Sequence, residues 1–326
     1  MASNGSQNGR KRKFPLLFLG IDGGGTKTNA AIMNAAKEVL AEGEAGPSNP
    51  LRIGVETAVA NIIKAIEDAC DRGGLIASDI SVATLGLAGV RRKDIRERVR
   101  DSFSKKLNIQ NTTVVTDAEI ALFGTTLGKP GLVVIAGTGS ICLGRNEKGE
   151  TAISGGWGPL AGDEGGGAGI AQTALHTIAK ASDGRGRPTA LTDRAAEYFR
   201  ASGPENLIVA IYSPQIDNSR IAGFARLVVE TALEGDAVAR EILRDAGEEL
   251  GIAACAVIRK LDLAKRKIPI GCVGSVFKAG KLLAEPMLRV IRRSAPHAYL
   301  TEPLLQPSHA AAIMALGAVK PTTRLK

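Results

Sequence analysis

The opening of the chain alternates between one long apolar run and one cluster of turn residues. Leu16 to Leu19 and Ile21 form a strand-length apolar stretch that ends in Asp22, three glycines and Thr26. Apolar residues resume in Asn29-Ala30-Ala31-Ile32-Met33. This predicts a buried strand, a tight turn and a second strand returning beside the first. Residues 38–43 predict a third strand, and Gly46-Pro47-Ser48-Asn49-Pro50 a loop. Val55, Val59, Ile62, Ile63, Ile66 and Cys70 then lie on one face of a helix stopped by Gly73-Gly74. Residues 81–89 predict a buried strand, and Ile95, Val99, Phe103 and Leu107 stripe another helix. Residues 112–116 predict a strand that runs into Asp117, with a helix over 118–127. The first third therefore reads βββαβαβα.

The pattern then starts again. Leu132-Val133-Val134-Ile135-Ala136 enters Gly137-Thr138-Gly139-Ser140 and leaves as Ile141-Cys142-Leu143-Gly144. A short strand over 151–154 precedes a loop over 155–167. Helices are predicted over 169–181, around 193–201, over 219–233 and over 236–261. A strand over 268–273 leads through Gly274-Ser275 into a helix over 277–294, and the last helix spans 310–319. Two strand–glycine turn–strand units, each opening a βββα half, imply a duplicated α/β architecture with a cleft between the halves. Ligands of such sheets gather at strand C-terminal ends. Asp22, Asp117, Thr138 and Ser275 all fall there and are expected to share one site.

Composition narrows the picture. A chain of 326 residues suggests about two domains. With 44% hydrophobic residues but only 3% aromatics, its cores must be packed by Ala, Val, Ile and Leu. The formal charge of +9 is partly concentrated in Arg10, Lys11, Arg12 and Lys13, and residues 1–13 read as a disordered basic tail. No stripe of basic and aromatic residues follows, so no nucleic-acid partner is expected. The apolar part after the tail is short, runs into Asp22 and lacks a cleavage site, so it is not read as a secretory signal. No apolar stretch approaches the ~20 residues of a membrane span. Cys70, Cys142, Cys255 and Cys272 are scattered within apolar elements, as free thiols in a reducing cytoplasm would be.

Two glycine hairpins can turn backbone amides and the Thr26 and Thr138 hydroxyls toward a polyphosphate. There is no Gly-x-x-x-x-Gly-Lys-Ser/Thr and no dinucleotide fingerprint after a strand. Asp117, at a strand end before a helix, suits a base that takes a hydroxyl proton, or a simple helix cap. Asp163 in Gly-Asp-Glu-Gly stands at a predicted helix start and invites the same two readings. Trp157, the lone tryptophan, offers either a flat face to a ring or a core anchor. Gly274-Ser275 reads as a close backbone approach or as a plain turn. His176, His297 and His309 are too scattered for a metal site.

Ile21-Asp22-Gly23-Gly24-Gly25-Thr26-Lys27-Thr28, Thr116-Asp117-Ala118 and Ala136-Gly137-Thr138-Gly139-Ser140 form one set of motifs. Gly155-Gly156-Trp157-Gly158, Gly162-Asp163-Glu164-Gly165 and Cys272-Val273-Gly274-Ser275-Val276-Phe277-Lys278 form another. Together they resemble the N-acetylglucosamine kinase branch of the actin-like ATPase superfamily, the group labelled BadF/BadG/BcrA/BcrD. The resemblance runs from Leu16 to about Val319. It implies two ribonuclease-H-like lobes around an interdomain cleft. The small lobe would span residues 14–127, joined by a C-terminal helix over 309–326, and the large lobe residues 128–308.

The same resemblance assigns roles. Asp117 matches the catalytic base. Gly24, Gly25, Thr26, Lys27, Gly137, Thr138 and Gly139 match the phosphate hairpins of ATP, and Asp22 would hold Mg²⁺ through water. Gly274, Ser275 and Ala279 match the adenosine side, with Gly223 in the related stretch Ala222-Gly223-Phe224-Ala225-Arg226. Asn49, Ser140 and Asp163 match sugar contacts, with Gly156, Trp157 and Gly158 beside them. Ile141 departs from the Asn of the family's eukaryotic members, which leaves the sugar open. The implied activity is ATP-dependent phosphorylation of an amino sugar, foremost N-acetylglucosamine at O6, with glucosamine or N-acetylmuramic acid as alternatives. A cytoplasmic homodimer is implied as well. A rival within the same fold is an ATPase that activates a CoA-ester dehydratase or reductase through an iron–sulfur cluster, which needs cysteines near the nucleotide.

Overall fold

In a computed structural model that describes residues 16–318, the opening apolar run is β1 (Leu17–Gly23), paired antiparallel with β2 (Thr28–Met33). The chain continues through β3 (Val39–Ala45), α1 (Pro50–Ile53), α2 (Val55–Gly73) and β4 (Ile80–Leu87). Then come α3 (Lys93–Leu107), β5 (Asn111–Thr116) and α4 (Asp117–Thr126). The five strands form one sheet in the order β3-β2-β1-β4-β5, with β1, β4 and β5 parallel. Alternation along β1 gives each face its cover. Leu17, Leu19 and Ile21 join the core made with α2 and α3, where Val59, Ile62, Ile66, Val99 and Phe103 are buried. Phe18 and Gly20 face the other way, toward a helix from the far end of the chain, Pro307–Gly317.

Close packing there depends on the missing side chain at position 20. A Cβ on Gly20 would lie 2.1 Å from Ser308 O and 2.2 Å from Ala312 N. Gly43 of β3 does the same against α2, where a Cβ would lie 2.2 Å from Ala65 O. With few aromatics, this protein brings helix backbones down onto the sheet instead of spacing them with large side chains.

A second unit repeats the plan. β6 (Gly131–Ala136), β7 (Ser140–Arg145) and β8 (Thr151–Gly155) are antiparallel neighbours. Helices α5 (Gly167–Ser182), α6 (Leu191–Phe199), α7 (Leu207–Ile211), α8 (Asn218–Gly223), α9 (Ala225–Leu233) and α10 (Ala237–Lys260) follow. β9 (Pro269–Val273), α11 (Lys281–Ser294) and β10 (Tyr299–Thr301) close it, and Pro307–Gly317 is α12. The sheet order is β10-β9-β6-β7-β8, with β6, β9 and β10 parallel. Counted in order of appearance, both sheets therefore run 3-2-1-4-5. The first unit comprises residues up to Ile120 and from Pro307, and the second Ala121–Gln306, so the chain passes between them inside α4 rather than after Leu127.

Three sequence expectations change. The helix over 219–233 is two helices that meet at Phe224, a fully buried ring stacked near Tyr198 and Phe199 at centroid distances of 5.6 and 5.5 Å. The helix over 277–294 begins only at Lys281, because Gly280 turns the chain at φ 58 and Ser275–Ala279 is a 3-10 turn. α7 and β10 went unseen, being five and three residues long, too short for a period to register. The basic tail and residues 319–326 lie outside the described residues. Among those described, no helix is long and apolar enough to cross a membrane.

The contact at Gly20 gives a stability test. Gly20→Ala forces backbone apart from backbone and is expected to cost about 3 kcal/mol or more in denaturant unfolding. Gly317→Ala, with nothing within 4 Å of its Cβ position, is expected to stay within about 0.5 kcal/mol of wild type.

Candidate active site

The β1–β2 hairpin is held by its carbonyls. Gly23 O accepts from Ala88 N at 2.8 Å, Gly24 O from Ser48 N at 3.0 Å, and Lys27 O from Gly24 N at 2.9 Å. The amides of Gly25 and Thr26 have no backbone acceptor among the described residues, and both residues are exposed. A loop pinned by part of its carbonyls with the tip amides unbonded has the makings of an anion cradle. Gly23 cannot be replaced without disturbing it, since a Cβ would fall 2.1 Å from Ser48 Oγ. Lys27 pairs with Glu44 at 3.5 Å, both exposed, a contact of little worth by itself.

Beside this hairpin stand two carboxylates. Asp22 faces Asn29 across the β1–β2 ladder, and Asn29 Nδ2 donates to its Oδ2 at 3.3 Å. Burial pushes the Asp22 carboxyl up to about 6, opposed by the Asn29 bond and helped by the nearby charge of Asp117. Asp117 is the first residue of α4, and burial raises its carboxyl too, against a bond from Ala118 N at 2.9 Å.

The capping alternative for Asp117 does not hold, because Thr116 is the cap. Thr116 Oγ1 accepts from Glu119 N at 3.2 Å, while the Glu119 carboxylate accepts from Thr116 N at 2.7 Å. This is a reciprocal Thr-x-x-Glu capping box. It leaves the Asp117 side chain with bonds from local backbone amides only and otherwise available. The motif was in the sequence, and reading Thr116-Asp117-Ala118-Glu119 as a box would have shown that Asp117 has no capping duty.

Asn49 caps α1, its Oδ1 accepting from Leu51 N at 3.0 Å. The same oxygen lies 2.2 Å from where a Cβ on Gly89 would sit, so glycine there makes room for it. One turn on, the Arg52 guanidinium packs over Gly25, 3.1 Å from its Cβ position, a neighbour that sequence reasoning did not anticipate.

The second unit assembles a matching set. Gly137 O and Thr138 O accept from Gly167 N and Ala168 N, both at 2.8 Å, so the β6–β7 turn is tied to the first amides of α5. Thr138 and Gly139 amides have no backbone acceptor among the described residues. Gly274, at φ 113, comes so close that a Cβ would lie 2.3 Å from Ala136 O, which brings Ser275 up to this hairpin. Ala279 is buried behind it, while Gly223 is exposed at the end of α8, its Cβ position 2.4 Å from the Tyr198 hydroxyl.

Asp163 is not a helix cap either. It sits at φ 64 before the start of α5, whose cap position is Gly166. Its Oδ1 accepts from Gly158 N at 3.3 Å, and its Oδ2 lies 2.2 Å from the Cβ position of Gly139. Burial raises this carboxyl as well. Ser140 Oγ donates to Glu164 O at 2.6 Å, and Ile141 packs against Gly156, whose Cβ position is 2.9 Å from Ile141 Cδ1. Ser140, Ile141, Gly156, Gly158 and Asp163 thus form one cluster around the second hairpin. Trp157 is no core anchor, since it is 70% exposed.

The profile of the BadF/BadG/BcrA/BcrD ATPase family matches residues 19–319. An N-acetylmuramic acid/N-acetylglucosamine kinase of Clostridium acetobutylicum is 34% identical over 259 residues, 79% of this chain and 85% of its own. An N-acetyl-D-glucosamine kinase of Dictyostelium discoideum is 33% identical over 315 residues, 93% of this chain and 99% of its own. A solved structure from Chromobacterium violaceum, provisionally assigned as an N-acetylglucosamine kinase, has a TM-score of 0.76 at 27% identity, covering 92% of this chain and 99% of its own.

The raised Asp22 carboxyl sets a pH test. Between about 4 and 6 the folded chain holds a proton there that the unfolded chain has lost, so the site's contribution to stability falls as pH rises through that window. Asp22→Asn is therefore expected to stabilise the metal-free protein by about 1–3 kcal/mol at pH 7.5, the gain vanishing below about pH 4. Thermal unfolding with a chelator present measures it, and a destabilised variant at pH 7.5 would contradict the assignment.

Proposed function

The chain belongs to the BadF/BadG/BcrA/BcrD ATPase family, and we propose that it transfers the γ-phosphoryl group of ATP to a hydroxyl of an amino sugar. N-acetylglucosamine is the acceptor and its 6-phosphate the product. The observation that carries this reading is the Asp117 carboxylate, held at a strand end, relieved of capping by Thr116 and with its carboxyl raised by burial. A buried carboxylate with spare hydrogen-bonding capacity suits a base that accepts the sugar's proton as the oxygen attacks phosphorus. The names of the two curated relatives support the substrate class.

The other residues take roles by their chemistry. The free amides of Gly25, Thr26, Thr138 and Gly139 suit phosphate oxygens, with the Thr26 and Thr138 hydroxyls and Lys27 beside Gly24. Gly274, Ser275, Ala279 and Gly223 belong to the adenosine side. Asn49, Ser140, Asp163 and the Gly156-Trp157-Gly158 stretch hold the sugar, where the exposed Trp157 ring offers a face to it. Ile141 presents an apolar surface in place of a hydrogen bond, which suits an N-acyl sugar better than a free amine. Asp22, poorly compensated by the protein alone, suits a dication held through water, and Mg²⁺ there would neutralise charge on the nucleotide phosphates. A homodimer in the cytoplasm goes with this reading, and sedimentation checks the dimer.

The cysteines of the second sheet do not favour the iron–sulfur reading. Cys142 is completely buried in β7, and burial drives its thiol far above the ordinary range, away from the thiolate a cluster needs. Cys272 is pushed up to about 12 for the same reason.

Incubation with ATP, Mg²⁺ and N-acetylglucosamine is expected to give ADP and the sugar 6-phosphate, with lower kcat/KM for glucosamine and N-acetylmuramic acid. Chelation of Mg²⁺ is expected to stop turnover. Asp117→Asn should lower kcat by about 10²–10⁴-fold with nucleotide binding retained. Normal turnover in that variant would remove Asp117 from the mechanism.

A further inference from the structure

We propose that Glu119 and Arg96 are positioning residues that fix Asp117 for proton acceptance, an inference that rests on the kinase reading above. β5 passes into α4 without a loop, and Asp117 is the joint. One oxygen, Glu119 Oε2, accepts from Thr116 N at 2.7 Å, from Thr116 Oγ1 at 2.8 Å and from Arg96 Nη2 at 3.0 Å. Thr116 Oγ1 in turn accepts from Glu119 N at 3.2 Å. These bonds bracket Asp117 on both sides along the chain.

Arg96 extends the clamp beyond an ordinary capping box. Its Nε donates to Val90 O at 2.8 Å, in the segment that follows β4. A single carboxylate thus ties together the end of β4, helix α3 and the β5–α4 joint. The Arg96 and Glu119 side chains are 30% and 34% exposed, so the pair is partly sheltered from the screening that weakens surface ion pairs.

Holding α4 to the sheet does not require this clamp. Ile120 is fully buried, sits in the notch over Gly86, where a Cβ would lie 2.4 Å from its Cδ1, and joins Val115 and Ala311 in an apolar cluster. That packing anchors the helix. What apolar packing does not fix is the orientation of the first helical residue. The Asp117 carboxylate accepts only from backbone amides at the joint, Ala118 N and its own, so the backbone at 116–118 carries its orientation. Misplacement of a reacting group by about 1 Å costs on the order of 10²-fold in rate.

The test uses the full chain and steady-state kinetics with ATP and N-acetylglucosamine. Glu119→Ala is expected to lower kcat by about 10²-fold while both KM values stay within about threefold. Glu119→Gln, whose amide oxygen still accepts from Thr116, should recover most of the loss, and Arg96→Lys should fall between. Placed in an Asp117→Asn background, Glu119→Ala should cause no further loss, because the two act as a unit. A Glu119→Ala kcat within twofold of an active wild type would overturn the proposal alone, as would an additive loss in the Asp117→Asn background. Should Glu119→Ala fail to fold, Arg96→Ala, which removes the Arg96–Glu119 bond and is expected to lower kcat with both KM values little changed, decides by the same criteria. A wild type without phosphotransfer would overturn the kinase reading and this proposal together.

Discussion

Each unit depends on how its own glycine hairpin disposes of its backbone polar groups. A buried or half-buried peptide must pair both its N–H and its C=O or lose free energy. In each hairpin several carbonyls are taken by neighbours: those of Gly23 and Gly24 by the Ala88 and Ser48 amides in one unit, those of Gly137 and Thr138 by the first amides of α5 in the other. The amides at the two tips are what remain. Such a loop is held in its conformation by these carbonyl bonds before any ligand arrives, and it turns unbonded amides outward. An anion therefore finds its cradle preorganised, and little ordering is needed when it binds.

Three carboxylates carry the opposite problem. Asp22, Asp117 and Asp163 are each partly or largely withdrawn from water, and burial raises the carboxyl of all three. Each has few compensating bonds: Asn29 for Asp22, Ala118 N for Asp117, Gly158 N foremost for Asp163. A protein selected for stability alone would have no reason to keep them so. Their positions make sense if a dication, a hydroxyl and a sugar supply the missing partners. The strain of under-compensated charge is then the affinity for what binds, which ties the electrostatics of the site to its chemistry.

Much of this was legible in the chain. Long apolar stretches such as Leu16–Leu19 and the heptad-like stripe from Val55 to Cys70 declared strands and helices because their period is strong over many residues. The hairpins declared themselves because the same strand–glycine turn–strand pattern opens both halves of the chain, where one alone would pass for a plain turn. Tertiary facts did not show in the same way. Whether Trp157 packs inside or stands exposed depends on the loop it sits in, and Asp163 before α5 looked like a cap until Gly166 took that position. Phe224 and Gly280 broke predicted helices through a ring cluster and a positive φ that no window of hydrophobicity registers. The Thr116–Glu119 box was written plainly in the sequence, but weighing Asp117 by itself concealed it.

The scarcity of aromatic residues connects these points. Cores built from small side chains bring backbones close, and the tightest approaches here fall at glycines: Gly20 under α12, Gly43 under α2, and Gly247 of α10, whose Cβ position is 2.3 Å from Leu283 O in α11. Backbone-to-backbone contact leaves elements little room to slide, since no flexible side chain lies between them to repack. Gly23 and Gly274 use the same device at the hairpins of their own units, against Ser48 and Ala136. Packing that brings the helices down onto the sheets thus also fixes the glycine hairpins, so substitutions at these glycines should affect stability and chemistry together, whereas substitutions at Glu119 should separate them.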